Sequence, residues 1–353
     1  MRAAGGKAVE NTMKTIECSG THREMGRQAG EQLRDEIARH VERRKRLSQP
    51  GFEQELPGYL SVLRRELPDV LEEMDGVAEG ANIAARDIYL LNFTRYPDSL
   101  NVAEEGCTNI AFVATPDGPA WGENNDLEAP AERLPQCVRI VRPARGIPLI
   151  MISRAGMVAA MDGMNAEGLC LGNSSVGSVF QQSREHVCIR MLGYAAMLHS
   201  RNVSGFVRRM TSRPTRGKGY SMLCLDRSGT AVSIEAPCPL VQVRRMTSPR
   251  GMHCVNVYQL PQLSDADRRT PGAKRDALAR RKLLEEYLSS DAPCTVDAMQ
   301  KLLRLHGPPQ ALCRHGEVEN MYTACSMIGL PRRGVLLVAE GYPCESEYEE
   351  ISI

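Results

Sequence analysis

Glu105-Gly106-Cys107-Thr108-Asn109, the apolar run Ile110-Ala111-Phe112-Val113-Ala114, and then Gly122-Glu123-Asn124-Asn125-Asp126 mark a change of texture in this chain. Residues 110–114 read as a strand, Pro116-Asp117-Gly118 as a turn, and 119–121 as the start of a return strand. Strand-like runs recur at 137–141, 148–153, 220–226, 230–235, 240–245, 252–258, 323–328 and 335–339. Gly163-Met164-Asn165-Ala166-Glu167-Gly168 forms a turn-rich loop leading into the apolar 169–171. Helical patterns at 184–200, 203–210, 266–288 and 296–305 interrupt these meanders.

Upstream of Cys107 the pattern is helical. Between residues 23 and 44 the apolar positions Met25, Ala29, Leu33, Ile37 and Val41 fall on every fourth residue, which predicts one amphipathic helix. A second is expected over 56–65. Pro68 opens a third, whose face is Val70, Leu71, Met74, Val77 and Ala78 and which ends at Gly80-Ala81-Asn82. The chain therefore reads as an α-rich segment, 1–106, and a strand-rich segment, 107–353, that together form one structural domain. Meanders that alternate with helix pairs, without uninterrupted βαβ alternation, predict an α+β fold of two stacked antiparallel sheets covered by helices.

Composition narrows the function classes. With 353 residues and 42% apolar content the chain can bury a large core. Its 44 basic and 43 acidic residues leave a formal charge of +1, so no overall field favours nucleic acid or an anionic membrane, and a small-molecule partner is expected. Apolar runs such as 148–152 and 334–339 have strand length, too short to span a bilayer. Met1-Arg2-Ala3-Ala4-Gly5-Gly6 lacks the apolar core of a secretory signal, and the expected location is cytoplasmic. The twelve cysteines are scattered without a C-x-x-C pair, which predicts reduced thiols and neither metal nor other cofactor; Cys313-Arg314-His315 is the nearest approach to a metal cluster.

Gly106-Cys107 carries a specific chemical possibility. A cysteine can attack the carbonyl that precedes it, and Gly106, without a Cβ, tolerates the backbone geometry such an attack needs. Forming the thioester breaks the peptide bond and frees the Cys107 amine, and its hydrolysis would then free the thiol. With an ordinary pKa of about 7.7–8.0, that amine is partly neutral near pH 7 and can serve as general base for its own thiol.

Taken together, several motifs in order resemble the acyl-coenzyme A:6-aminopenicillanic acid acyltransferase family, the self-cleaving cysteine branch of the N-terminal nucleophile hydrolases. They are Gly26-Arg-Gln-Ala-Gly30-Glu-Gln-Leu33, Glu72-Glu-Met-Asp-Gly76-Val-Ala-Glu-Gly80-Ala81, Gly106-Cys107-Thr108, the G-x-N-x-D element Gly122 to Asp126, and Gly163-Met-Asn165-Ala-Glu-Gly168-Leu169 with Asn173. His253-Cys-Val-Asn256, Leu312-Cys-Arg-His315, Thr323-Ala-Cys-Ser326 and Glu340-Gly-Tyr-Pro-Cys344 continue the series. The resemblance implies a four-layer αββα sandwich, cut between Gly106 and Cys107 into two fragments that stay associated, with oligomeric state left open.

It also implies roles. Cys107 would be the nucleophile, Asp126 a carboxylate near its amine and thiol, Asn173 an oxyanion donor and Asn256 a second amide nearby. Glu123, Asn124, His253 and Arg314 are candidates for the substrate pocket. The bile-salt amidase relatives carry Arg where this chain has Glu123, which argues against a bile-salt substrate. The expected substrate is a small-molecule amide or acyl thioester. Two rivals stand beside this reading: a Cys-His peptidase using Cys107 with His253 or His315 and no self-cleavage, and an inert binding protein of the same fold.

Overall fold

The computed structural model describes residues 13–46, 51–93, 106–128, 135–160, 162–307, 311–316 and 321–353. The reading of Met1 to Gly6, and Glu105 beside the cut, lie outside the described residues. The upstream segment supplies β1 (Lys14–Gly20), α1 (His22–Gln32), α2 (Arg34–Arg46), α3 (Phe52–Glu66), α4 (Pro68–Ala81) and α5 (Ala85–Asn92). The single helix expected over 23–44 is two helices that break at Leu33, although Met25, Ala29, Leu33, Ile37 and Val41 are all buried as the periodicity requires. Thr21 caps α1 with Glu24 in a reciprocal capping box, and Pro68 occupies the first turn of α4.

Downstream come β2 (Thr108–Phe112), β3 (Ala120–Glu128), β4 (Gln136–Pro143), β5 (Leu149–Arg154), β6 (Asp162–Asn165) and β7 (Cys170–Ser175). Next are β8 (Val187–Cys188), α6 (Ile189–His199), α7 (Val203–Met210), β9 (Thr215–Arg216), β10 (Tyr220–Leu225), β11 (Ala231–Ala236), β12 (Gln242–Arg245) and β13 (Gly251–Val255). A 3₁₀ turn at Pro261–Ala266 precedes α8 (Pro271–Ser289) and α9 (Val296–Leu303), and β14 (Met321–Leu330), β15 (Val335–Glu340) and β16 (Glu349–Ser352) close the chain.

Two large sheets result, in the orders β1-β4-β5-β6-β7-β10-β11-β12 and β13-β2-β3-β14-β15-β16, and β8 and β9 form a small parallel pair apart from them. Alternation along the strands sorts side chains into three cores. Val138, Ile140, Ile150, Ile152, Leu223, Trp121, Cys254 and Met327 fill the space between the sheets. The outer face of the first sheet packs on α1 to α7 through residues such as Met25, Met74, Met151 and Leu192. The outer face of the second packs on α8 and α9 through Ile110, Phe112, Leu284 and Met299. This is the expected αββα layering. One departure is that the first sheet is not wholly antiparallel, because β1 joins its edge parallel to β4 from Lys14 opposite Cys137 to Gly20 opposite Pro143.

Four glycines let α1 and α4 touch backbone to backbone. A Cβ on Gly26, Gly30, Gly76 or Gly80 would fall 1.9–2.4 Å from a carbonyl oxygen of the facing helix. The two G-x-x-x-G motifs are thus the contact faces of one helix pair, whose job is to bring Glu73 inward.

Candidate active site

Cys107 directly precedes β2, and the hairpin β2-β3 determines what it faces. Thr108 pairs with Asn124 and Ile110 with Gly122. Gly106 donates its backbone N–H to the Asp126 carbonyl at 3.3 Å, so Cys107 stands opposite Asn125. Side chains alternate from there. Thr108, Ile110, Asn124 and Asp126 point toward the α8-α9 layer, whereas Cys107, Asn109, Trp121, Glu123 and Asn125 point toward the first sheet.

On that inner side the thiol enters a recess of about 80 Å³ lined by Asn125, Asp162, Asn173, Arg190 and Tyr220 among others. The Asn125 amide nitrogen lies 4.0 Å from the Cys107 sulfur. Asn173, on β7, donates its side-chain amide to Asp162 Oδ1, and its backbone N–H reaches the same oxygen at 3.0 Å. Burial pushes the Asp162 carboxyl up to about 6 against the pull of the Asn173 hydrogen bonds. A larger cavity of about 460 Å³ lies far from the thiol, between α3-α4 and α6-α7, and none of its lining residues is a cysteine.

The Cys107 backbone is gripped from both sides. Arg280, fully buried on α8, donates to the Cys107 carbonyl at 2.7 Å, to Thr108 Oγ1 at 2.9 Å and to Asn256 Oδ1 at 2.9 Å. Ser174 Oγ donates to the same carbonyl at 3.3 Å. Asp276, one turn earlier on α8, pairs with Arg280 at 3.0 Å and with Arg314. Arg314 in turn lies 3.1 Å from Asp126 Oδ2, and its guanidinium sits 3.0 Å from where a Gly106 Cβ would be. Thr323 donates to Asp126 Oδ1 at 2.7 Å. Burial pushes Asp126 up to about 7 even with Arg314 and Arg280 opposing it.

Several expected roles change with this geometry. Gly122 to Asp126 lies inside β3. Asp126 occupies the face opposite the thiol, beside Gly106, and its partners are Arg314 and Thr323. Asn256 donates its amide to the Ser175 carbonyl at 2.8 Å and accepts from Arg280, which itself donates to the Cys107 carbonyl. Asn124 does not line the Cys107 recess: it donates to the carbonyls of Leu303 and Leu312, both at 2.8 Å, tying the end of α9 to the sheet. Glu123 is buried between the sheets, where desolvation and then Asp162 raise its pKa well above the usual carboxylate range. His253 pairs with Ile110 across β13-β2 and so faces α8, where its Nε2 is 3.8 Å from Glu285. Burial, with Arg244 adding to it, depresses His253 to about 3. Neither His253 nor His315 lines the recess.

Asn125, Asp162, Arg280, Asp276 and Ser174 were not singled out from sequence. Asn125 was within reach, because a two-residue period from Trp121 places it on the inner face. The others come from elements whose register no local pattern reveals.

Residues 113–332, more than half of the chain, match the family described as Acyl-coenzyme A:6-aminopenicillanic acid acyl-transferase. The chain belongs to this family. The matched segment begins after Cys107. The chain is 30% identical over 174 residues to the acyl-coenzyme A:6-aminopenicillanic-acid-acyltransferase 40 kDa form of Emericella nidulans, a match covering 46% of this chain and 47% of that relative, about half its length. Among solved structures, penicillin V acylase from Agrobacterium tumefaciens is similar with a TM-score of 0.45 and 13% identity, covering 66% of this chain and 83% of that one. A mutant conjugated bile acid hydrolase from Clostridium perfringens is similar with a TM-score of 0.46 and 11% identity, covering 70% and 97%. Among the described residues no helix is long and apolar enough to cross a membrane.

Proposed function

We propose that this member of the family is a self-processing amidohydrolase or acyltransferase that cuts its Gly106-Cys107 bond and then acts on a small-molecule amide or acyl thioester through an acyl-Cys107 intermediate. The observation that carries this reading is the placement of Cys107. Its thiol opens into a recess with two side-chain amides, while its own carbonyl is immobilised by Arg280 and Ser174.

In the cut, the Cys107 sulfur attacks the Gly106 carbonyl and the C–N bond breaks, which frees the Cys107 amine and leaves a thioester; water then hydrolyses that thioester, releasing the Gly106 carboxylate and the Cys107 thiol. In turnover that amine takes the thiol proton as sulfur attacks the substrate carbonyl, then returns it to the leaving group. Asn173, held in orientation by Asp162, stabilises the oxyanion with its second amide hydrogen, and Asn125 flanks the sulfur. Arg314 and Asp126 pack against Gly106 and steady the scissile peptide. The two fragments remain together, since β1 is hydrogen-bonded along β4 and Glu73 on α4 pairs with Arg139 on β4.

The deciding experiment is the intact mass of the denatured, purified protein. Fragments corresponding to 1–106 and 107–353 are expected, with a single uncut chain for Cys107→Ala. A wild-type chain that stays whole on prolonged incubation sinks the proposal. Incubating the cut enzyme with a panel of amides and acyl-coenzyme A thioesters, then identifying the acyl group on the Cys107 peptide, defines the substrate class.

A further inference from the structure

Cys313 and His315 flank Arg314 in a short segment after α9, and Cys344 follows β15. The fold brings their ligand atoms together. Cys313 Sγ is 3.5 Å from His315 Nε2 and 3.5 Å from Cys344 Sγ, and His315 Nε2 is 3.1 Å from Cys344 Sγ. His306, exposed beside the cluster, has a ring nitrogen within 4.8 Å of the ligand atoms of His315 and Cys344 but stands farther from Cys313.

These separations match the needs of a thiophilic divalent ion. Tetrahedral ligation with Zn–S of about 2.3 Å and Zn–N of about 2.0–2.1 Å places sulfur and nitrogen about 3.5 Å apart and two sulfurs about 3.8 Å apart. Cys313, His315 and Cys344 already stand near this spacing, and a small swing of the exposed His306 ring would complete a closed Cys₂His₂ set. The outer contacts also suit it. His315 turns its other nitrogen, Nδ1, toward Glu345 at 3.7 Å, and His306 Nδ1 is 3.3 Å from the Arg304 carbonyl. Histidines that bind metal through one nitrogen usually have the other held by a carboxylate or a backbone carbonyl.

We infer that Cys313, His315, Cys344 and His306 form a zinc site that clips the segment carrying Arg314 to the turn after β15. The ion replaces the thiol protons of Cys313 and Cys344, releasing both to solvent as the two thiolates bind. The consequence reaches the active site. Arg314 lies between two of the ligands, so the clip fixes the backbone from which its guanidinium meets Asp126 and Gly106.

The sequence reading that found no metal site saw only Cys313 and His315. Cys344 is distant in the chain and enters the cluster only through the β14-β15 hairpin.

The test uses the full chain, purified under reductant without a histidine tag. Elemental analysis is expected to give about one zinc per chain. Cys313→Ser, Cys344→Ser and His315→Ala should lose most of it, while Cys294→Ser and Cys107→Ala keep it. Cobalt(II) exchanged into the wild-type protein should produce thiolate-to-cobalt charge-transfer absorption that is absent in Cys344→Ser. Should the cluster variants not fold, alkylation of the wild-type protein followed by peptide mass mapping decides the matter: zinc should protect Cys313 and Cys344 relative to the chelator-treated protein. Equal labelling with and without zinc, or a Cys313-Cys344 disulfide in the protein as purified, overturns the inference.

Discussion

Cys107 and Asn125 face the same recess because the β2-β3 register places them opposite one another, and Asn173 comes to them from a different sheet. The proposed division of labour is testable at single residues. Asn173→Ala should reduce kcat by about 10²–10³-fold with a much smaller change in KM, the signature of a lost oxyanion donor. A proportional rise in KM alone would assign Asn173 to ground-state binding. Arg314→Met removes the guanidinium that pairs with both Asp126 and Asp276, leaving Arg280 with Asp276, and should destabilise the fold by about 3–5 kcal/mol in denaturant unfolding.

His253 offers a pH-dependent prediction. Its folded pKa of about 3 lies below its ordinary 6.5, so the folded state holds it neutral while the unfolded chain takes up a proton. Stability from this source is complete above pH 6.5 and declines as pH falls toward the folded pKa. Between pH 6.5 and 4 the loss attributable to His253 is at most about 3 kcal/mol. His253→Gln should flatten that part of the stability profile; an unchanged slope by urea titration would refute the assignment.

At the scale of elements, the α1-α4 contact makes an inverted prediction for glycine. Replacing a mid-helix glycine by alanine ordinarily stabilises a helix by about 1 kcal/mol. Gly76→Ala and Gly80→Ala should instead lower Tm, because their new methyl groups would meet the carbonyls of Arg23 and Arg27 at 2.1 and 1.9 Å. Gly58→Ala in α3, with nothing within 4 Å, is the control that should raise it or leave it unchanged.

Much at this scale was readable in the sequence. The apolar face of α4 and the extent of α7 follow directly from helical period, and most strands from alternation and turn residues. What was not readable has a physical cause. β1 contains just two buried apolar residues, Ile16 and Cys18, and is held by a strand more than a hundred residues away. The break at Leu33 leaves the spacing of apolar residues intact, so periodicity could not detect it. Within the site, residue types on β2 and β3 were legible, whereas Arg280 and Asp162 depend on how α8 and the first sheet dock.

For the whole molecule, the interface between 13–93 and the rest combines a backbone ladder with a buried ionic cluster. Glu73 accepts from Tyr194 Oη at 3.0 Å, lies 2.6 Å from His22 Nδ1 and pairs with Arg139. Burial would raise its pKa, yet Arg139 and His22 outweigh that and keep it below the usual range. Its stabilising contribution is therefore present above the unfolded carboxylate pKa and is lost as pH falls through the depressed one. The cut fragments should co-elute on size exclusion at neutral pH, and Glu73→Ala, which strands Arg139, should lower the denaturant concentration at which they separate. Co-elution only of uncut protein would contradict the proposed assembly.

β1 also has a protective consequence. As the edge strand it covers the hydrogen-bonding groups of β4 from Cys137 to Pro143, and among the described residues no other strand lies on that side of β4. A fragment of 107–353 produced alone would expose that edge as a template for pairing with other copies. Insoluble, strand-rich aggregates are expected from it, and co-expression with the upstream segment should restore soluble protein.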